Sequence, residues 1–275
     1  MNGLTFFAKK RFFHKSDNHL MRGSSMIRAD QIADYLGARV NPTEGYEDDV
    51  CIFVKPNTNS IYAGDIKFKD NSYVDIVDGE NLVQFLKKNE NLTVIVCSQN
   101  DFEYVTSVLK NKVVLIPQHH CNFDRIRRDR KEIKTVGIVG SRQTVEMMPE
   151  DLKRKLRDIG LDFVSYYEFK TRRDIINFYK GLDIQIIWRP RRVSLSNPLK
   201  ILNAASFGIP TVLLREKSVK EVGDCCLPVD TIDELVEKVK LLVSSPELYA
   251  EYSKKCIEKS EEYHISKIAE MYKKL

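Results

Sequence analysis

The stretch Ser196-Asn197-Pro198-Leu199-Lys200 combines the residue types needed to start a helix and to hold an anion at its start. Asn197 suits the cap position, and Pro198 suits the first helical position, where its missing N–H costs nothing. The amides of that first turn point outward, and the positive end of the helix dipole adds to them. Lys200 contributes a mobile cation beside this anion site. One turn further on, Asn203 presents an amide that both donates and accepts hydrogen bonds. Gly208 is expected to end the helix, and Pro210 to fix the turn into an apolar strand, Thr211 to Leu214.

Other residues carry chemistry at comparable places. Gly140-Ser141-Arg142 follows the apolar run Thr135 to Val139, which puts a cation just beyond a strand and a tight turn. Arg189-Pro190-Arg191-Arg192 follows Ile184 to Trp188 and adds positive charge before the capped helix. His119 and His120 are adjacent, so on extended backbone their side chains point opposite ways and make a poor chelate. Asp75 and Asp78 lie near the end of the run Tyr73 to Val77. There a carboxylate could orient a hydroxyl, and Asp78 equally suits a helix cap. Gly23-Ser24-Ser25 precedes an amphipathic segment and reads either as a cap or as a loop approaching a ligand. No GxGxxG, GxxxxGK[ST], Asp-x-Asp or C-x-x-C pattern occurs, so dinucleotide, P-loop, metal-diphosphate and zinc-ribbon chemistry have no support.

These residues need elements to position them, and the chain alternates apolar strands with helices from end to end. That order predicts parallel sheets covered by helices. The expected strands of the first half are Leu4 to Ala8, Val50 to Val54, Tyr73 to Val77, Thr93 to Cys97 and Val113 to Ile116. The pattern restarts at Thr135, which predicts two doubly wound domains: residues 1–130, residues 131–262, and a closing segment 263–275. Cys121 to Lys134, with Arg125, Arg127, Arg128, Arg130 and Lys131, reads as an exposed linker. At 275 residues the chain can build two cores. The formal net charge of +5 lies mostly after Arg130, less than a dedicated nucleic-acid binder would concentrate. The six cysteines lack ligand spacing and read as free thiols, with Cys51 and Cys97 inside apolar runs. No apolar run is long enough for a membrane span and no signal-peptide core is present, so a cytoplasmic protein is expected.

The segment from Pro198 to Leu214, with its proline, lysine, small-residue pair and Gly-x-Pro before a strand, resembles the donor-binding segment of GT-B glycosyltransferases. The resemblance is to the large retaining family that uses nucleotide sugars. It implies an α/β fold of GT-B architecture, with two Rossmann-like domains facing across a cleft and the tail from His264 crossing back to the first domain. It also implies transfer of a sugar from a nucleoside-diphosphate sugar to an acceptor hydroxyl. Arg142, Arg191, Asn197 and Lys200 would hold the diphosphate, and Asn203 the ribose. Gly23, Ser24 and Ser25 would form an acceptor loop, and one of Asp75, Asp78, His119 and His120 would orient the acceptor. No cofactor or metal is implied, because the donor is a substrate and protein cations replace the ion. Where the family carries a ribose-binding glutamate this chain has Asn203, and Ser194 stands about where a second glutamate would be. Retention of configuration is implied by the family, but without that carboxylate the stereochemistry stays open. A catalytically silent nucleotide or partner binder and a nucleotide-sugar epimerase are the alternative readings, with a nucleic-acid binder last. The acceptor is expected to be a carbohydrate, a lipid or another hydroxyl compound, and the positive second half is compatible with peripheral contact to anionic lipid.

Overall fold

The structure, a computed structural model, describes residues 3–8, 23–56, 68–69, 72–128, 132–190, 194–217 and 219–275. The chain divides into two compact units. The first comprises Met1–Gln118, Val193–Asn197 and Ile265–Leu275; the second comprises His119–Arg192 and Pro198–His264.

The first unit is built on strands β1 (Leu4–Ala8), β2 (Arg39–Val40), β3 (Val50–Val54), β4 (Ser72–Asp75), β5 (Thr93–Val96) and β6 (Val113–Leu115). They form one parallel sheet in the order β2-β1-β3-β4-β5-β6. Runs such as Val50-Cys-Ile-Phe-Val54 are apolar throughout because helices cover both faces of such a sheet. After β1 the described chain resumes as helix α1 (Gly23–Ser25), a π-helical turn Met26–Asp30 and α2 (Gln31–Leu36). Ser25, Arg28, Ala29, Ile32 and Ala33 form its buried stripe, at the spacing of a single helix face. Helices α3 (Leu82–Lys87) and α4 (Gln99–Val108) follow β4 and β5, and Ser98 caps α4 by accepting the Asp101 N–H at 3.0 Å.

The second unit contains β7 (Thr135–Val139), α5 (Arg142–Glu146), α6 (Glu150–Asp158), β8 (Asp162–Tyr166), α7 (Arg172–Lys180), β9 (Ile184–Ile187), α8 (Leu199–Ala205), β10 (Thr211–Leu214), α9 (Val219–Val222), β11 (Cys226–Val229), α10 (Ile232–Ser244) and α11 (Pro246–Ser260). Its sheet is also parallel, in the order β11-β10-β9-β7-β8. Its core joins Ile138, Leu152, Leu156, Ile186, Ile201, Val212, Leu235 and Val239, all at most 1% exposed. Gly208 ends α8 in a left-handed conformation, φ 69°, and a Cβ there would lie 2.5 Å from the Ser253 hydroxyl of α11. Helix α12 (Ile265–Tyr272) belongs to the first unit and buries Ile265, Ile268, Ala269 and Tyr272, one helical stripe.

The division between units falls at Gln118/His119, earlier than the sequence boundary at Arg130. The basic stretch after His120, of which Asp129, Arg130 and Lys131 lie outside the described residues, is tied to the second unit at several points. Asn122 Nδ2 donates to Ser206 O and Ile126 O, the Cys121 N–H donates to Asn203 Oδ1, and Arg125 pairs with Glu261 at 3.0 Å. Arg128 is buried and reaches Asp183 and the Tyr249 hydroxyl. Composition showed the charge of this segment but not its partners. Among the described residues no helix is long and apolar enough to cross a membrane.

Candidate functional site

In doubly wound sheets, ligands sit beyond the carboxyl ends of the strands, where the strand order reverses. In the second unit the reversal falls between β7 and β9, and that is where Lys200 is found. Its Nζ lies 3.3 Å from the Val139 carbonyl oxygen, which it can donate to, at the last residue of β7. Gly140 makes the space, since a Cβ there would come within 2.6 Å of Nζ. Burial, reinforced by the nearby Arg189 and opposed by Glu216, brings the Lys200 ammonium down to about 8. The side chain expected to be mobile is therefore lodged at the sheet edge. Arg189 follows β9 and pairs with Glu216, beyond β10, at 2.5 Å. Two cations against one carboxylate leave this edge with an excess of positive charge, the property an anion requires.

The start of α8 differs from the expectation. Pro198 occupies the cap position, with no side-chain cap bond, and the helix begins at Leu199. Asn197 thus stands one residue too early to cap it, and is counted with the first unit. Asn203 accepts the Cys121 N–H at 2.8 Å through Oδ1. Its carbonyl oxygen is therefore committed to the backbone, and Nδ2 is the group left to meet a ligand. Arg142 opens α5, exposes 73% of its side chain, pairs with Glu146 at 2.8 Å and lies 5.8 Å from the Tyr167 ring. Arg191 lies outside the described residues.

His119 and His120 belong to the second unit and are both closed off, at 2% and 1% exposure. His119 Nδ1 is 3.1 Å from the His120 carbonyl oxygen. His120 Nδ1 accepts the Asn122 N–H at 3.2 Å, which assigns its proton to Nε2, a buried atom with no partner among the described residues. Burial, together with His264 and His119, pushes His120 down to about 3, so its ring is neutral at physiological pH. Neither ring faces an open surface. Their packing, with His119 edge-on to Phe123 and His120 edge-on to His264, is that of core residues.

In the first unit Asp75 is likewise a correction. It is 0% exposed, pairs with the buried Arg28 at 2.7 Å and accepts the Tyr272 hydroxyl at 3.3 Å and the Val77 N–H at 3.3 Å. Burial raises its carboxyl pKa and the Arg28 charge opposes that rise. This carboxylate staples α12 to the sheet and has no face left for substrate. Asp78 is the exposed one, at 59%, and pairs with Lys55. It caps nothing, since α3 begins at Leu82 behind Asn81. Gly23, Ser24 and Ser25 are not a loop but helix α1, with Ser25 buried. Gly23 is not required by crowding, because a Cβ there would meet nothing within 4 Å.

Sequence reasoning missed Glu80, Asp101 and Ser98, which gather on the segment Ser194–Asn197 in the first unit. Glu80 Oε1 accepts the Ser194 N–H at 2.7 Å, Asp101 Oδ1 accepts the Ser196 N–H at 2.7 Å, and Ser98 Oγ donates to Ser196 O at 2.8 Å. Burial raises the Asp101 carboxyl to about 6, despite the hydrogen bonds it accepts. Nothing in the local sequence marks these partners, which lie about a hundred residues away along the chain. Arg28 did leave a signal, an arginine on an otherwise apolar helix stripe.

Comparison with known proteins agrees with the architecture. No protein-family model matches the chain. A protein of Haemophilus influenzae described as an uncharacterized glycosyltransferase is 28% identical over 220 residues, which cover 75% of this chain and 56% of that protein. The chain thus spans little more than half the length of that relative. Among solved structures, Anabaena HepE, in complex with UDP and glucose, has a TM-score of 0.63 at 10% identity and covers all of this chain with 99% of its own. TarM has a TM-score of 0.63 at 13% identity, over 82% of this chain and 54% of that one. The pneumococcal O-GlcNAc transferase GtfA, in complex with UDP and GlcNAc, has a TM-score of 0.57 at 14% identity, over 95% of this chain and 61% of its own. The fold is that of the GT-B glycosyltransferases, with two Rossmann-like units.

Proposed function

We propose that the chain is a glycosyltransferase that moves a sugar from a nucleoside-diphosphate sugar, a UDP-hexose first, to an acceptor hydroxyl. The observation that carries this reading is the Lys200 amine fixed at the strand-order reversal of the second sheet, with Arg189 beside it. In this reading Lys200 and Arg189 meet the charge that develops on the departing diphosphate, the role a divalent ion plays elsewhere. Arg142, exposed beyond β7, and Arg191 would add to that field, and Asn203 Nδ2 would donate to the ribose. The choice of UDP follows the ligands of HepE and GtfA. The acceptor in this reading is a carbohydrate, a lipid or another hydroxyl compound.

The test is thermal stabilisation by a panel of nucleoside diphosphates and their sugars, followed by transfer assays with the donors that bind. A ligand at a hundred times its dissociation constant adds about 2.7 kcal/mol of stability. UDP is expected to stabilise the wild type and to lose most of that effect in Lys200→Ala, whose melting without ligand is measured alongside. Stabilisation by no nucleotide refutes the reading. Stabilisation without transfer or donor hydrolysis leaves a silent nucleotide-binding protein.

A further inference from the structure

Cys225 and Cys256 meet within the second unit. Cys225 ends the 3-10 turn Gly223–Cys225 that leads into β11, and Cys256 holds a buried position of α11. They are 1% and 0% exposed. The Cys256 thiol donates to the Cys225 carbonyl at 3.1 Å, and its sulfur is also within hydrogen-bonding reach of the Cys225 sulfur. The fold thus brings together two sulfurs that lie 31 residues apart along the chain.

The two thiols are unequal. The hydrogen bond from Cys256 holds the Cys225 thiol below the usual cysteine value, against its burial, and the nearby Lys259 ammonium adds to that effect. Cys256, the donor, is raised well above the usual value and keeps its proton. The other four cysteines are unlike Cys225. Burial raises Cys51 and Cys97, and pushes Cys121 and Cys226 up to about 12. Cys225 also lines a surface cleft between its turn and α11, together with Gly223, Asp224, Lys255 and Lys259. That cleft brings a small oxidant against the one cysteine whose thiol ionises most readily.

We propose that Cys225 and Cys256 form a redox-active pair, which a hydroperoxide converts to a disulfide. The Cys225 thiolate attacks one peroxide oxygen. The O–O bond breaks, the other oxygen leaves as hydroxide or alkoxide and takes up a proton, and Cys225 becomes a sulfenic acid. The Cys256 sulfur then attacks the Cys225 sulfur. The S–S bond forms, the S–O bond breaks, and the Cys256 proton leaves with the oxygen as water. The two thiols give up two electrons, and the O–O bond takes them. A dithiol reverses the change. In the disulfide, Cys256 no longer donates to Cys225 O or to Ile209 O, 3.7 Å away just past the turn that ends α8. The new bond closes a loop that holds β11, α10 and most of α11. None of these steps uses a nucleotide, so the pair stands whether or not the chain is a transferase.

The experiment treats the folded, reduced chain with a small excess of hydrogen peroxide, blocks the remaining thiols with N-ethylmaleimide in urea, and maps the cysteines by mass spectrometry. Wild type is expected to lose two blockable thiols and to yield a linked Cys225–Cys256 peptide pair that dithiothreitol separates. Cys225 should be lost about tenfold faster or more than Cys51 or Cys97. Cys256→Ser should stop at a sulfenic acid on Cys225, which dimedone traps, whereas Cys225→Ser should leave Cys256 reduced. Cys226→Ser should behave like the wild type. Because the wild-type map needs no variant, a serine variant that fails to fold does not blunt the test. A wild-type link made through Cys226 overturns the proposal, as does a Cys225 thiol that outlasts Cys51 and Cys97. Linkage that appears only after unfolding in urea, or a Cys225 sulfenic acid that never links to Cys256, overturns it equally.

Discussion

Replacing Arg28 with methionine tests what holds α12 to the first unit. The guanidinium is buried to 1% and donates through Nε to Asp75 at 2.7 Å and through Nη1 to Ile116 O and Pro117 O at 2.8 and 2.7 Å. It also lies 5.5 Å from the centre of the Tyr272 ring. Burial opposes its charge, but Asp75, with Cys97 and Tyr272, raises its pKa above the usual value, so it is a permanent cation. Removing it leaves Asp75, 0% exposed, with only the Val77 N–H and the Tyr272 hydroxyl. Breaking one side of a buried pair costs about 3–5 kcal/mol, because the remaining charge is uncompensated. At roughly 3 °C per kcal/mol for a unit of this size, the melting of the first unit should drop by about 10 °C. The assay is urea denaturation followed by circular dichroism, with hydrogen exchange of Ile265–Tyr272 as the local probe. Acid should shrink the cost, since protonating Asp75 removes the stranded charge. The double variant Arg28→Met/Asp75→Leu should recover most of the loss, because an apolar pair of similar volume stabilises as well as the ions did. A cost below about 1 kcal/mol for Arg28→Met, or a double variant whose loss equals the sum of the two singles, would refute the reasoning.

Three further perturbations follow from individual sites. UDP affinity should weaken as pH rises through about 8, because Lys200 loses its proton there, and Lys200→Met should lack that dependence in titrations of binding against pH. Asp101, raised from 3.8 to about 6, binds more protons folded than unfolded, so its contribution to stability declines as pH rises from about 4 to 6. Asp101→Asn keeps an acceptor for Ser196 and should remove that decline, a difference of about 3 kcal/mol at neutral pH measured by denaturation at several pH values. Gly208→Ala should cost roughly 1–3 kcal/mol, since it forces a side chain into φ 69° and against the Ser253 hydroxyl, and unchanged melting would contradict that geometry.

What the sequence determined by itself was the set of elements and their kind. Val50 to Val54 is apolar at every position, and Thr93 to Val96 and Thr135 to Val139 carry no polar side chain after their first threonine, the pattern of a strand covered on both faces, and each is a strand. The alternation of strand and helix, restarting at Thr135, fixed the two parallel sheets. Lys200 was legible as a candidate anion ligand because it stands in a helix start that leads into a strand, a local pattern, and the fold sets its amine beside the Val139 carbonyl at the end of β7. The short strand Arg39–Val40 and the helices Arg142–Glu146 and Val219–Val222 escaped, being too brief to show a period. Tertiary structure alone decided which polar residues face solvent. Asp75 and Asp78 read alike along the chain, yet one meets Arg28 and Tyr272 from distant segments and the other meets Lys55 at the surface. The same holds for His119 and His120, enclosed by Phe123 and His264, and for Glu80, whose partner Ser194 lies in a segment that returns to the first unit after β9. Backbone periodicity is set by neighbours three or four residues away, so it is written locally. A carboxylate or imidazole takes its exposure, charge partner and pKa from whatever the fold brings within a few ångströms, and sequence spacing carries no record of that.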